Sequence, residues 1–285
     1  MTPWAFIEPC CGSGAVSLRL LGISRPACTW QGSKARHAET IVEIFRECGF
    51  EDKPEELWLS DPSPWGEVLP TLLNPGFRKL VIDALRRMAG EPAHEVFVRL
   101  HKQVVSKDPA ERAAEFLFLQ RLAHSGKAVS WRKGRWNSPG FNPTSAYGKA
   151  EVEGFGAIRP QVPAMIEHLA SWPEATGDVF ASGSRTTFTP LRCSPLPRRV
   201  VYIDPPYVDS TAYPDGSLGR NEVVDLALAW EEAGAIVLVS EAEPVQELLE
   251  LELGWTARKI GEARSAKNPF HAKKEEWITL SPVEG

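Results

Sequence analysis

The sequence predicts an α/β fold, one sheet domain interrupted by a helical insertion. Three observations predict it. Apolar or β-branched runs of strand length stand at both ends of the chain: Trp4 to Ile7, "VFASGS", "RVVYID" and "AIVLVSE". Residues 77–125 between them read as amphipathic helices almost throughout. The last two runs, "TARKIGEARSA" and "EEWITLSP", read as a closing antiparallel hairpin on an otherwise mostly parallel sheet. The expected sheet domain comprises residues 1–75 and 176–285, and the insertion residues 76–175.

Along the chain, the buried run Trp4 to Ile7 leads into "EPCCGSG" and then into "AVSLRLLG", a strand, a glycine loop and a helix. Residues 34–48 fit a second helix, with Ala38, Ile41, Val42, Ile44 and Phe45 on its apolar side. "LWLSDPSPWG" reads as a strand ending at Asp61, followed by a proline-rich turn. "DPAERAAEFLFLQRLAHSG" carries an Asp cap and a Pro at its first helical position. Residues 126–160, rich in Gly, Pro, Asn and Trp, read as an ordered but irregular loop region, and 161–172 as a helix. "NEVVDLALAWEEAG" reads as the amphipathic helix between two late strands.

Composition excludes several classes. With 43% hydrophobic and 24% charged residues the chain is of ordinary globular type. A formal net charge of −5 argues against a surface that is basic throughout. Five cysteines without framework spacing predict reduced thiols and a cytoplasmic setting. No apolar run is long enough for a membrane span, and the six histidines show no ligand spacing, so neither a membrane nor a metal is expected.

Two stretches carry chemistry. In "FIEPCCGSGAVSL" the glycines Gly12 and Gly14 allow a tight turn and a close approach to a ligand. Glu8 sets a carboxylate beside that turn, which suits a ligand bearing an amino group or a sulfonium better than a phosphate. Asp61, ending the next strand, fits the acid that holds ribose hydroxyls in Rossmann-like sites.

In "YIDPPY" Asp204 ends a strand, at the carboxyl edge where α/β sheets bind ligands. Pro205 and Pro206 have no N–H, fix an extended turn and leave their carbonyls as acceptors. Tyr207 offers a flat face. Two acceptors and a stacking ring complement a planar amine. Acceptors out of the ring plane draw an amine nitrogen toward tetrahedral shape and free its lone pair for attack on a sulfonium methyl. Orientation and fixed dipoles supply the acceleration.

In these motifs and their order the chain resembles the Dam-like DNA adenine methyltransferases. "AEFLFLQRLAHSGKAVSWRKGRWNSPG" is similar to that family's DNA-touching insertion. The resemblance implies a Rossmann-like methyltransferase sheet, S-adenosyl-L-methionine as cofactor, DNA as partner, and a base flipped out of the helix. It implies that Glu8, Pro9, Gly12, Ser13, Gly14 and Asp61 hold the cofactor, that Asp204, Pro205, Pro206 and Tyr207 hold the base, and that residues 76–175 recognise the target. "WQGSKAR" looks like the family's usual opening motif, transposed behind the glycine loop, so Lys34 is expected near the cofactor carboxylate. Lys127, Arg132, Lys133 and Arg135, interleaved with Trp131 and Trp136, form the candidate DNA surface. A cytosine or modified phage base as substrate, a binding protein that kept the fold, and a restriction endonuclease partner stay open at this point.

Overall fold

The structure, a computed structural model, describes residues 2–28, 33–124, 129–152, 156–174, 177–182, 189–190, 193–205, 219–263 and 274–283. Contacts divide the chain into two units. The first comprises Met1–Cys11, Lys34–Pro62 and Thr176–Gly285, and the second Gly12–Ser33 and Ser63–Ala175.

The first unit holds a seven-stranded sheet. Its strands are β1 (Trp4–Glu8), β2 (Glu56–Ser60), β7 (Asp178–Ser182), β8 (Arg198–Ile203), β9 (Ile236–Glu241), β10 (Thr256–Ala263) and β11 (Lys274–Leu280). Their order is β10-β11-β9-β8-β1-β2-β7. The five strands from β9 to β7 are parallel, and β11 runs antiparallel to both β9 and β10. The expected mixed α/β sheet with a closing antiparallel pair is therefore present. The hairpin adds with its second strand inward, so β11 rather than β10 lies against β9.

Alternation along the central strands explains how both faces are covered. Ala5, Ile7, Val201, Ile203, Val237 and Val239 share one core with Val223, Ala227 and Trp230 of α9 (Arg220–Glu232). Val245 and Leu248, the latter in α10 (Gln246–Leu249), extend that core. The intervening residues face α2 (Ala38–Glu47): the Phe45 ring packs at 5.4 Å from Phe6 and 6.4 Å from Tyr202. Strands covered on both faces read as continuous apolar runs, as β1, β8 and β9 do.

The second unit contains α1 (Ala15–Leu20), α3 (Trp65–Leu73), α4 (Pro75–Ala89), α5 (Ala93–Lys102), α6 (Pro109–Leu122), α7 (Pro143–Tyr147) and α8 (Gln161–Ala170). Asn74 and Asp108 cap α4 and α6 with their side chains, each followed by Pro at the first helical position. Buried Arg78 of α4 donates to the carbonyls of Leu72, Trp172 and Pro173, joining the end of α3 to the end of α8.

The proline-rich turn read after Asp61 is present at 62–64, and it leads into a helix that the sequence reading did not name: α3, whose Trp65, Val68, Leu69 and Leu72 are buried despite Pro70 within it. One expectation needs correction: the described residues of 126–160 are more regular than a loop. They include the hairpin β3 (Ser130–Arg132) and β4 (Arg135–Asn137), then α7, then β5 (Lys149–Val152) paired with β6 (Gly156–Ile158). Lys133 and Gly134 at the first hairpin's turn both have positive φ, 53° and 73°, which suits a tight two-residue connection.

Candidate active site

The sheet order fixes where a ligand site belongs. Read by connection, β7-β2-β1-β8-β9 is the doubly wound order, and the chain reverses direction between β1 and β8. Ligands bind outside the carboxyl ends of the strands at such a switch. Glu8 ends β1, Asp61 immediately follows β2, and Asp204 immediately follows β8. One step beyond the register pair Ile7–Val201 come Glu8 and Tyr202. The three acids singled out by sequence thus lie at neighbouring strand ends of one sheet.

Glu8 is only 2% exposed, and Asp61 is buried too. The Cys11 N–H donates to the Ser60 carbonyl at 3.0 Å, tying the chain that leaves β1 to the end of β2. Burial, then Asp61 and then Glu8, push the Cys11 thiol well above its ordinary value. It is a neutral thiol and a poor nucleophile. Gly12 and Gly14 adopt φ of 47° and 67°, the left-handed region that the turn requires. A side chain at Gly14 would sit 2.2 Å from Leu69 Cδ2. Gly14 caps α1, and the Ser13 and Ser33 hydroxyls lie 3.0 Å apart.

Asp204 keeps 17% of its side chain exposed at the end of β8. Lys34, at the foot of the segment leading to α2, is buried and sets its Nζ 3.0 Å from Asp204 Oδ1. The same ammonium lies 3.2 Å from Oε2 of Glu276 on β11. Burial pushes the Asp204 carboxyl up, Lys34 pulls it down, and Glu276 and Asp61 push it up again, leaving it at about 6. Burial opposes charge on Lys34, yet Asp204, Tyr202 and Glu276 outweigh it and hold its pKa above the usual lysine value. Glu241, ending β9, is pushed up to about 7 by burial, against the pull of Arg220 of α9 at 3.7 Å.

The structure brings Glu8, Asp61, Asp204 and Lys34 to one edge of the sheet. Pro205 is buried there, while Pro206 and Tyr207 lie outside the described residues. Glu276 and Glu241 were missed by sequence reasoning. Glu276 left a signal: it alternates with Ile278 and Leu280, so the strand pattern gives it an inward position.

Of the candidate DNA residues, Lys127 lies outside the described residues. Arg132 ends β3, and Lys133 and Arg135 are exposed at the hairpin turn and on β4. Buried Glu115 of α6 holds this hairpin by accepting from Trp136 Nε1 at 2.7 Å. It also accepts from Gln103 Nε2 and the Ser106 N–H. The Val105 N–H donates to the Gly134 carbonyl at 2.9 Å, pinning the turn itself.

Among the described residues no cluster of three His, Cys, Asp or Glu could hold a metal ion. No helix among them is long and apolar enough to cross a membrane. No protein-family model matches the chain, and no curated protein matches it either.

Proposed function

We propose that the chain is an S-adenosyl-L-methionine-dependent DNA methyltransferase that acts on the exocyclic amino group of adenine. The observation that carries this reading is the convergence of Glu8, Asp61 and Asp204 at the strand ends flanking the switch between β1 and β8. The sequence motifs alone left that convergence open. The donor set fits the cofactor: two buried carboxylates at adjacent strand ends suit a cationic ligand with ribose hydroxyls. The glycine turn through Gly12, Ser13 and Gly14 follows Glu8 and Pro9 directly along the chain.

When bound, the cofactor supplies a sulfonium-activated methyl group. Glu8 and Asp61 bind and orient it. Asp204 accepts one N–H of the target amine, and the Pro205 carbonyl accepts the other. With both protons held, the nitrogen lone pair turns out of the ring plane toward the methyl carbon. The fixed acceptors need no reorganisation as positive charge develops on nitrogen; the N–C bond would form as the C–S bond breaks to leave a neutral thioether, and Asp204 would take the surplus N–H proton. Tyr207 supports the flipped base in this reading, and the β3–β4 hairpin contacts the DNA backbone through Arg132, Lys133 and Arg135.

The test is incubation of mixed DNA with labelled cofactor, followed by nucleoside mass spectrometry. Wild type yields methylated deoxyadenosine and Asp204→Ala does not. Label on deoxycytidine would move the reading to the cytosine amino group, and equal label from both proteins would remove Asp204 from the reaction.

A further inference from the structure

One buried ammonium is shared by a buried carboxylate and a partly exposed one. Lys34 Nζ lies 3.0 Å from Asp204 Oδ1 and 3.2 Å from Glu276 Oε2. The three residues come from three places: the segment ahead of α2, the end of β8, and β11, which is separated from β8 by β9. The proposed reaction uses Asp204 and gives Glu276 no part. Yet Glu276 is almost wholly buried, at a position whose strand neighbours on the same face, Ile278 and Leu280, are apolar. Asp204 already supplies Lys34 with a counter-charge. Burying Glu276 as a second carboxylate adds desolvation cost and leaves the trio with net negative charge.

We propose that Glu276 is a positioning residue for the methyl transfer, dividing the Lys34 ammonium with Asp204 so that Asp204 stays a strong acceptor for the substrate amine. This rests on the methyltransferase reading. An ammonium held by Asp204 alone would compete with the amine for the same carboxylate. Shared with Glu276, Lys34 still fixes Oδ1 and the plane of the carboxyl group, while the second oxygen serves the amine.

Among the described residues, charges reach Asp204 from several elements. Lys34 approaches ahead of α2, Glu276 from β11, and Asp61 from the end of β2. The Tyr202 phenol lies on its own strand, and Glu241, opposed by Arg220, ends β9. His37, at the start of α2, faces Lys34 and Glu276. Within this set Glu276 pushes the Asp204 carboxyl up and Lys34 pulls it down. Removing the two charges one at a time must therefore move Asp204 in opposite directions.

The test follows the acid limb of kcat for DNA adenine methylation in wild type, Glu276→Gln, Glu276→Asp and Lys34→Gln. In parallel, the Asp204 carboxyl carbon is titrated by NMR in labelled protein and assigned by its loss in Asp204→Asn. Both readouts move to lower pH in Glu276→Gln and to higher pH in Lys34→Gln, by roughly one unit each. Glu276→Asp, which keeps the charge, stays near wild type. In Glu276→Gln kcat falls roughly tenfold at neutral pH while the cofactor KM changes by less than about twofold. A limb that stays put or moves up in Glu276→Gln overturns the proposal, because a purely structural carboxylate lowers kcat without that shift. Should Glu276→Gln fail to fold, an unmoved limb in Lys34→Gln overturns it equally. An inactive wild type whose Asp204 titration still moves both ways rejects methyl transfer and keeps the charge sharing. An active wild type with unmoved limbs rejects the charge sharing and keeps methyl transfer.

Discussion

Asp204 takes its character from burial first and from its neighbours second. Its carboxyl titrates at about 6 in the folded chain against an ordinary 3.8, and Glu241 at about 7 against 4.5. Both folded values lie above the unfolded ones. The stability that each group contributes is therefore fully present below its unfolded value and is lost as pH rises through the folded one. For Glu241 that window runs from about pH 4.5 to about pH 7. Glu241→Gln should therefore stabilise the protein by about 1–3 kcal/mol at pH 8 and change it little at pH 4. Urea unfolding at the two pH values checks this, and equal differences at both would contradict it. Asp204 and Lys34 were legible in the sequence because each sits in a short motif. Glu276 and Glu241 were not, since their meaning comes from pairing β11 with β9 and β9 with β8. That long-range register no local pattern states, although the inward place of Glu276 was readable from alternation.

At the scale of elements, the glycine loop and the first hairpin carry the consequences. Gly14→Ala puts a methyl group against Leu69 at a backbone angle that side chains avoid. It should cost about 1–3 kcal/mol in denaturant unfolding. The hairpin escaped the sequence reading because Gly, Pro and Asn dominate its surroundings. Its alternating "WRKGRW", with Lys133–Gly134 at the turn, was the available signal. Glu115→Ala would strip an acceptor from Trp136 Nε1 and from the Ser106 N–H. We expect a loss of roughly 2–4 kcal/mol by the same method. Replacing Arg132, Lys133 and Arg135 together with Ala should weaken binding to all DNA sequences and reduce the salt slope by about 2–3. An unchanged slope in a salt titration would remove the hairpin from the interface.

At the scale of the whole molecule, the strand order does the placing. Strands far apart in the chain, β1 and β8, are neighbours in the sheet, and their carboxyl ends carry the two motifs that the sequence offered. The fold class was legible because buried parallel strands are apolar runs and the intervening helices are amphipathic. The inward position of β11 and the existence of α3 were not, because sheet order and a helix containing Pro70 depend on packing rather than on local pattern. The proposed function divides the labour along this edge: Glu8 and Asp61 for the cofactor, Asp204 for the amine. Calorimetric titration of S-adenosyl-L-methionine into wild type, Asp61→Ala and Asp204→Ala separates these roles. We expect binding by wild type, a loss of about tenfold or more in Asp61→Ala, and a Kd within about twofold of wild type in Asp204→Ala. No binding by wild type, or the same Kd in all three, would overturn this division.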